Sequence, residues 1–431
     1  MEKNMEEKQQ RASDVDAGKV QDIDFPQFTG RNASEENQSS SQQEESNQKE
    51  RDDHSITISP NISTVCWILE KGETPIKYDD FSGQILVSFK GNSELEAWTE
   101  HRSLQITMTL QRQYPELRNL SKTTVDQAVQ LYARKDPFNQ LTEKLDSLIW
   151  DGKARLDTWL INYCGVAEDN VYTREVGKIW LLGAVKRAYK PGSKFDYCLV
   201  LEGRQGIGKS MLLSILSCGH FQEITDFNGK DALMVLGGAW IAEIGELSAL
   251  KKSDMEVVKG FLTKQCDRFR PPYSKFVESK PRTVVFAGTT NKDDYLRDET
   301  GNRRFLPVYC HEIRIEEFQQ DRDQLLAEAV QRYHQGESLL LSKEAEQIAA
   351  EEQKARLPED PWKERIAKYV ADKESVVMDD IFIHALGMKD PKSWCRGHKT
   401  RVGSTLCELG WQKRRRRGSG QKTTYYPPVS H

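Results

Sequence analysis

The chain has 431 residues, 37% of them hydrophobic and 30% charged, with a formal net charge of −4, a length that accommodates two or three domains. No run of about 18 apolar residues occurs and the N-terminus has no apolar leader, which speaks against a membrane span and a secretory signal. Eight scattered cysteines without a C-x-x-C pair speak against a zinc site or disulfide framework and for a reducing, cytoplasmic setting.

Residues 1–53 contain 14 acidic and 7 basic residues and almost no aliphatics. Such a segment cannot bury enough apolar surface to offset its ordering entropy, so 1–54 is expected to be a disordered polar tail. Order begins near Ser55. Ser63–Glu70 reads as a capped helix, Phe81–Val87 as a turn and strand, and Leu104–Tyr114 and Thr123–Ala133 as helices. Residues 55–135 therefore read as a small α+β module without evident chemistry. Residues 136–190 read as a helical segment, with Val176, Ile179, Trp180, Gly183 and Ala184 at helical spacing. Trp150 and Trp159 read as core residues.

Tyr197–Leu201 is an apolar run that suits a buried parallel strand. Gly203-Arg204-Gln205-Gly206-Ile207-Gly208-Lys209-Ser210 follows it, fits G-x-x-x-x-G-K-[ST], and leads into the apolar helix pattern Met211–Leu216. Strand, glycine loop and helix are the context a phosphate-binding loop requires. Gly203, Gly206 and Gly208 let backbone N–H groups converge on a phosphate, with Ile207 and Met211 beside them, and the helix N-terminus adds partial positive charge. Lys209 would reach the β- and γ-phosphates of ATP, and Ser210 would hold Mg²⁺.

A second apolar run, Ala239–Ala242, ends in Glu243-Ile244-Gly245-Glu246. Glu246 is the candidate for orienting an attacking water and Glu243 for the outer shell of Mg²⁺; the alternative is a carboxylate that merely pairs with Lys251 or Lys252. A third run, Thr283–Gly288, ends in Thr289-Thr290-Asn291, and the Asn291 amide could bond both a γ-phosphate and a water. Arg303 and Arg304 suggest an arginine finger, against the alternative of ordinary surface arginines. Between the second and third runs lies a basic, aromatic stretch with a Pro-Pro turn. Its Arg268, Arg270 and Lys275 could hold phosphates and Tyr273 could stack on a base; a purely structural hairpin is the competing reading.

Glu344–Lys354 reads as a charged helix, with a linker over 346–362 marked by Pro358–Pro361. Trp362–Val370 opens a new helical segment, and Thr405–Trp411 reads as a helix end closed by glycine. The basic run Lys413, Arg414, Arg415, Arg416 and Arg417, a Gly-Ser-Gly turn, and Lys422–Tyr426 then read as strand, turn and strand. Helices followed by such a hairpin look like a winged helix over 363–431. Residues 391–431 hold ten Lys and Arg against one Glu, a density whose natural partner is DNA, origin duplex on the favoured reading, against the alternative of a solvated basic tail or nuclear-type signal.

Taken together, Phe195–Tyr197 through Gly203–Ser210, Trp240–Leu247, Asp267–Tyr273, Gly288–Asn291 and Thr300–Phe305 resemble the virulence-associated protein E family over about Trp150–Trp362. The family comprises replication ATPases of phages and mobile genetic elements, similar to superfamily 3 helicases of the AAA+ kind. The resemblance implies an α/β, P-loop AAA+-like core over 191–345. It implies that Arg268–Lys275 sit on a hairpin facing a pore and touch single-stranded DNA, and that Asn291 senses the γ-phosphate. Arg303 or Arg304 would act in a neighbouring subunit of a ring, implied to be a hexamer, and Arg322 would contact nucleotide. The expected function is an ATP-dependent DNA helicase or translocase working beside other replication proteins. The alternatives are an ATP-switched DNA-binding initiator that does not unwind, and a small-molecule P-loop kinase.

Overall fold

The computed structural model describes residues 57–72, 74–88, 95–227, 229–270, 276–296, 301–358, 360–414 and 424–428. The tail expected over 1–54 lies outside them. The first helix, Ile62–Lys71, is capped by Asn61 rather than by a residue of the Ser63 region: the Asn61 side chain accepts from the Thr64 N–H at 2.9 Å. Strands β1 (Ile76–Asp79), β2 (Gln84–Val87) and β3 (Glu96–Ala97) form an antiparallel sheet in that order. Helices Glu100–Gln113 and Lys122–Ala133 share a core with the first helix, built from Val65, Ile68, Leu69, Ile106, Leu110, Val125 and Val129. The Asp79 carboxylate is buried. It accepts from the N–H groups of Phe81, Ser82 and Gln140, which pins the β1–β2 turn to the following helical segment.

The central sheet is built from β4 (Cys198–Glu202), β5 (Phe221–Ile224) and β6 (Ile241–Ile244). After the two-stranded antiparallel hairpin β7 (Cys266–Phe269) and β8 (Glu278–Pro281), it is completed by β9 (Val285–Thr290) and β10 (Phe305–Tyr309). The order across the sheet is β10-β4-β9-β6-β5 and every pairing is parallel. Alternate residues face opposite layers, as the strand period of two demands. Leu199, Leu201, Val285 and Ala287 pack on helices Val171–Tyr189, Lys209–Leu216 and Ile315–His334, while Cys198, Val200, Phe286 and Phe305 pack on helix Lys252–Leu262. Two indoles fix the first layer to the sheet. Trp180 donates to the Phe286 carbonyl and Trp240 to that of Ala184, each at 2.9 Å.

Two neighbouring segments pack on this sheet. The helical stretch before β4 shares one core with it through Trp159, Val176, Ile179 and Trp180. The charged helix expected over Glu344–Lys354 is helix Lys343–Ala355, which runs into the segment expected as a linker over 346–362, and its Ala345 and Ala349 lie in the same core. Its charges disguise a narrow buried stripe of small residues.

The C-terminal part has its own core of Ile366, Val370, Phe382, Val402, Leu406, Trp411 and Tyr425. Helix Pro361–Val370 leads into β11 (Val376–Val377), helical turns, helix Arg396–Glu408, β12 (Gln412–Arg414) and β13 (Thr424–Tyr426). These strands form an antiparallel sheet in the order β11-β13-β12.

Candidate functional site

The glycine loop leaves the carboxyl end of β4, beside the centre of the sheet. Gly203, Gly206 and Gly208 have φ of 138°, 83° and 99°, which side chains rarely adopt. At Gly203 a Cβ would stand 2.3 Å from the Cys310 carbonyl oxygen, so glycine is needed there for space as well. Above Gly206 nothing lies within 4 Å, and the loop is open on that side. Helix Lys209–Leu216 starts directly at the loop, and its first N–H groups face the opening. Lys209 is buried, and its Nζ folds back to donate to the carbonyls of Gly203 at 2.9 Å and Arg204 at 2.8 Å. Burial holds its ammonium below the ordinary lysine value, countered in part by Cys310, Glu243 and Glu246.

Ser210 donates its hydroxyl proton to Glu243 Oε1 at 2.8 Å, and Thr289 at the end of β9 donates to the same oxygen. Glu243 is 3% exposed, so these bonds and the neighbouring Lys209 hold a carboxylate in the sheet edge. Glu246 follows at the surface with φ of 53°. Among the described residues only it and Cys218 are non-glycines with positive φ. Asn291 lies exposed just past β9, where Lys292 N–H donates to Thr290 Oγ1 at 3.1 Å and turns the chain. Gly203–Ser210, Glu243, Glu246 and Asn291 thus gather along one edge. Met211, 58% exposed, lies on the first turn of the helix, and Ile207 packs against the core.

Arg303 and Arg304 do not join them. They form the turn Asn302–Arg304 that enters β10, whose Phe305 pairs with Cys198 at the start of β4. They therefore lie at the amino edge, five strand residues from their own loop, or roughly 16 Å at about 3.3 Å per residue. Arg304 is tied to Asp196 at 3.6 Å and to the Gly301 carbonyl at 3.1 Å, whereas Arg303 is exposed. The β7–β8 hairpin also springs from the amino edge. A buried pair secures its base, Arg282 donating to both Asp267 oxygens at 2.7 and 2.8 Å. Arg268 and Arg270 are exposed on it; Tyr273 and Lys275 lie outside the described residues. Arg322, expected at the nucleotide, instead bonds Asp323 and reaches the Ile215 carbonyl, at the far end of the loop helix. Lys413 and Arg414 are on β12; Arg415, Arg416, Arg417 and Lys422 lie outside the described residues.

Sequence reasoning missed Thr289 as a ligand of Glu243, because threonine at a strand end is unremarkable without the neighbouring strand. It also missed the wall Cys310–Ile315, whose Cys310 oxygen and Ile315 side chain close on Gly203 and Gly208. No sequence signal marked it.

Residues 145–358, the stretch that holds this sheet edge, match the model of the virulence-associated protein E-like domain, and that part of the chain belongs to this family. No curated protein sequence matches the chain. Among solved structures, the chain is similar to the apo C-terminal region of NrS-1 (residues 305–718 of that protein) at 12% identity, covering 86% of this chain and 99% of that one with a TM-score of 0.49. A second apo form of the same region aligns with a TM-score of 0.48 at 12% identity, over 86% of this chain and all of that one (100%). Among the described residues no helix is long and apolar enough to cross a membrane.

Proposed function

We propose that the chain is a replication protein of a phage or mobile element, an Mg-ATP-driven DNA translocase that works as a ring with ATP between subunits. The reading rests on one observation: the glycine loop, Lys209 and the Ser210–Glu243 pair converge at one edge of a parallel sheet. The order of the strands supports an AAA+-like core. β9, which Asn291 follows, lies between the loop strand and the Glu243 strand, so the Asn291 amide would stand between bound phosphates and the carboxylates.

The residues suit the ligands. The loop is open above Gly206 to a phosphate. The Ser210 hydroxyl and Glu243 carboxylate are hard oxygen donors, and Mg²⁺ typically takes few protein ligands and completes its shell with phosphate and water. Bound there, Mg²⁺ would offset phosphate charge. Lys209 would exchange its two carbonyl partners for phosphate oxygens, whose negative charge offsets the cost of burying its ammonium. Glu246 would orient the attacking water and accept its proton, while Asn291 bonds the γ-phosphate. Arg303, exposed and too far from its own loop, would serve the loop of the next subunit. Arg268 and Arg270 would follow the backbone of a single strand, with Tyr273 and Lys275. The C-terminal order of helix, strand, two helical segments and two strands supports a winged helix for duplex origin DNA.

The test is ATP hydrolysis with and without single-stranded DNA over a range of protein concentration, for wild type and Lys209→Ala, followed by strand displacement on a forked duplex. The substitution is expected to lower turnover on the order of a hundred-fold. DNA-stimulated, concentration-dependent turnover with displacement supports the translocase. Turnover without displacement favours the ATP-switched initiator. Absence of nucleotide binding by wild type overturns both.

A further inference from the structure

Helix Arg396–Glu408 turns Val402, Thr405 and Leu406 into the C-terminal core. The opposite side presents Arg396, Lys399, Thr400, Gly403, Ser404 and Cys407, whose spacing follows a single face of an α-helix. This face forms one wall of a groove completed by Met378, Asp379, Lys413 and Tyr425. At its middle the helix is thin: a Cβ on Gly403 would meet the Tyr425 hydroxyl at 3.3 Å.

The basic residues of this region divide into two sets. Arg401 is spent on the fold, donating to both Asp360 oxygens and lying 4.1 Å over the Trp362 ring, and His398 packs edge-on against the same indole. Arg396, Lys399 and Lys413 make no ion pair among the described residues, although Asp379 lines the same groove. Three uncommitted cations on one surface call for a polyanion. Arg396 with Thr400 and Ser404 beside it offers a planar fork and hydroxyls, groups that bond base edges as well as phosphates. The face from Arg396 to Cys407 is about 16 Å long at about 1.5 Å per residue, the length of four to five base pairs. A B-DNA major groove of about 12 Å admits a helix.

We infer that this face is a reading surface for the major groove of duplex DNA, with Arg396, Lys399, Thr400 and Ser404 toward base edges and Lys413 on the phosphate backbone. The inference rests on the duplex-binding role proposed above and adds that binding is sequence-selective through this helix.

The experiment is selection of the full chain on a pool of DNA duplexes with randomised cores, followed by affinity and salt dependence on the enriched sequence. Four proteins are compared: wild type, Arg396→Ala, Arg396→Lys and Lys413→Ala. Wild type should enrich a motif. Arg396→Ala should flatten at least one position of it, with a loss of roughly 5- to 150-fold on the enriched duplex and little on others. Arg396→Lys keeps the charge but not the planar fork, so it should retain the salt slope and lose discrimination. Lys413→Ala should weaken all duplexes alike and lower the salt slope by about one. Enrichment that survives Arg396→Ala unchanged, or duplex binding with no enrichment, overturns the inference and leaves duplex binding standing. No duplex binding by wild type removes the underlying role as well.

Discussion

Glu246 holds a left-handed backbone at the edge where the carboxylates and the loop meet. For a residue with a Cβ this costs about 1–2 kcal/mol, and the neighbouring structure must enforce it. Glu246→Gly should therefore leave thermal stability unchanged or raise it slightly while suppressing hydrolysis. Glu246→Gln should keep nucleotide affinity and lose turnover, and a variant of normal turnover would remove Glu246 from the chemistry. Gly183 illustrates the opposite balance. It lies inside helix Val171–Tyr189, where alanine would gain about 1 kcal/mol of helix propensity. But its Cβ would stand 2.2 Å from the Phe195 ring, and overpacking of that kind costs about 1–3 kcal/mol or more. Gly183→Ala should lower the melting temperature; a rise would show that Phe195 can move aside.

At the scale of elements, the contact between the N-terminal module and the central sheet centres on Phe81. Its ring meets His220 edge-on at 4.8 Å, and its carbonyl accepts from Lys280 at the base of the hairpin at 2.8 Å. Burial lowers the His220 pKa below 6.5, opposed by Asp79 and by a backbone bond to Gly238. The folded chain therefore binds fewer protons here than the unfolded one, so the contribution of this contact is complete above pH 6.5 and lost as pH falls below it. Proteolysis or hydrogen exchange should show the contact loosening between neutral pH and pH 5 in wild type and not in His220→Phe; identical profiles would exclude His220 as the cause. Legibility in the sequence also divides by element. β4, β6 and β9 were visible as unbroken apolar runs because both of their faces are covered. β5 (Phe-Gln-Glu-Ile) and β10, interrupted by Pro307, were not visible, since an edge strand tolerates polar residues and a missing N–H. The same logic hid helix Lys252–Leu262, whose buried Met255, Val258, Phe261 and Leu262 stand among charges. The site was legible where motifs are local. Gly203–Ser210 could be read directly, whereas the bond from Thr289 to Glu243 joins positions 46 residues apart and needs the strand order to be seen.

For the whole molecule, the decisive relation is between the two edges of the central sheet. The loop opens at the carboxyl edge, and Arg303 and the hairpin lie at the amino edge. If Arg303 completes a neighbour's site, equimolar mixing of two inactive proteins, Lys209→Ala and Arg303→Ala, should restore part of the turnover. Some interfaces would then pair an intact loop with an intact arginine. No recovery in mixed, co-assembled rings would confine Arg303 to a structural role.

Because giver and receiver occupy opposite edges, such a contact runs head to tail. In an open chain of copies one terminal loop always lacks a donor, so a row of n copies owns n−1 complete sites and a lone copy owns none. Closing the row adds a site without adding a subunit. Turnover per copy would therefore climb with assembly length and step up at closure, which lets the geometry of one sheet report whether the circle is complete.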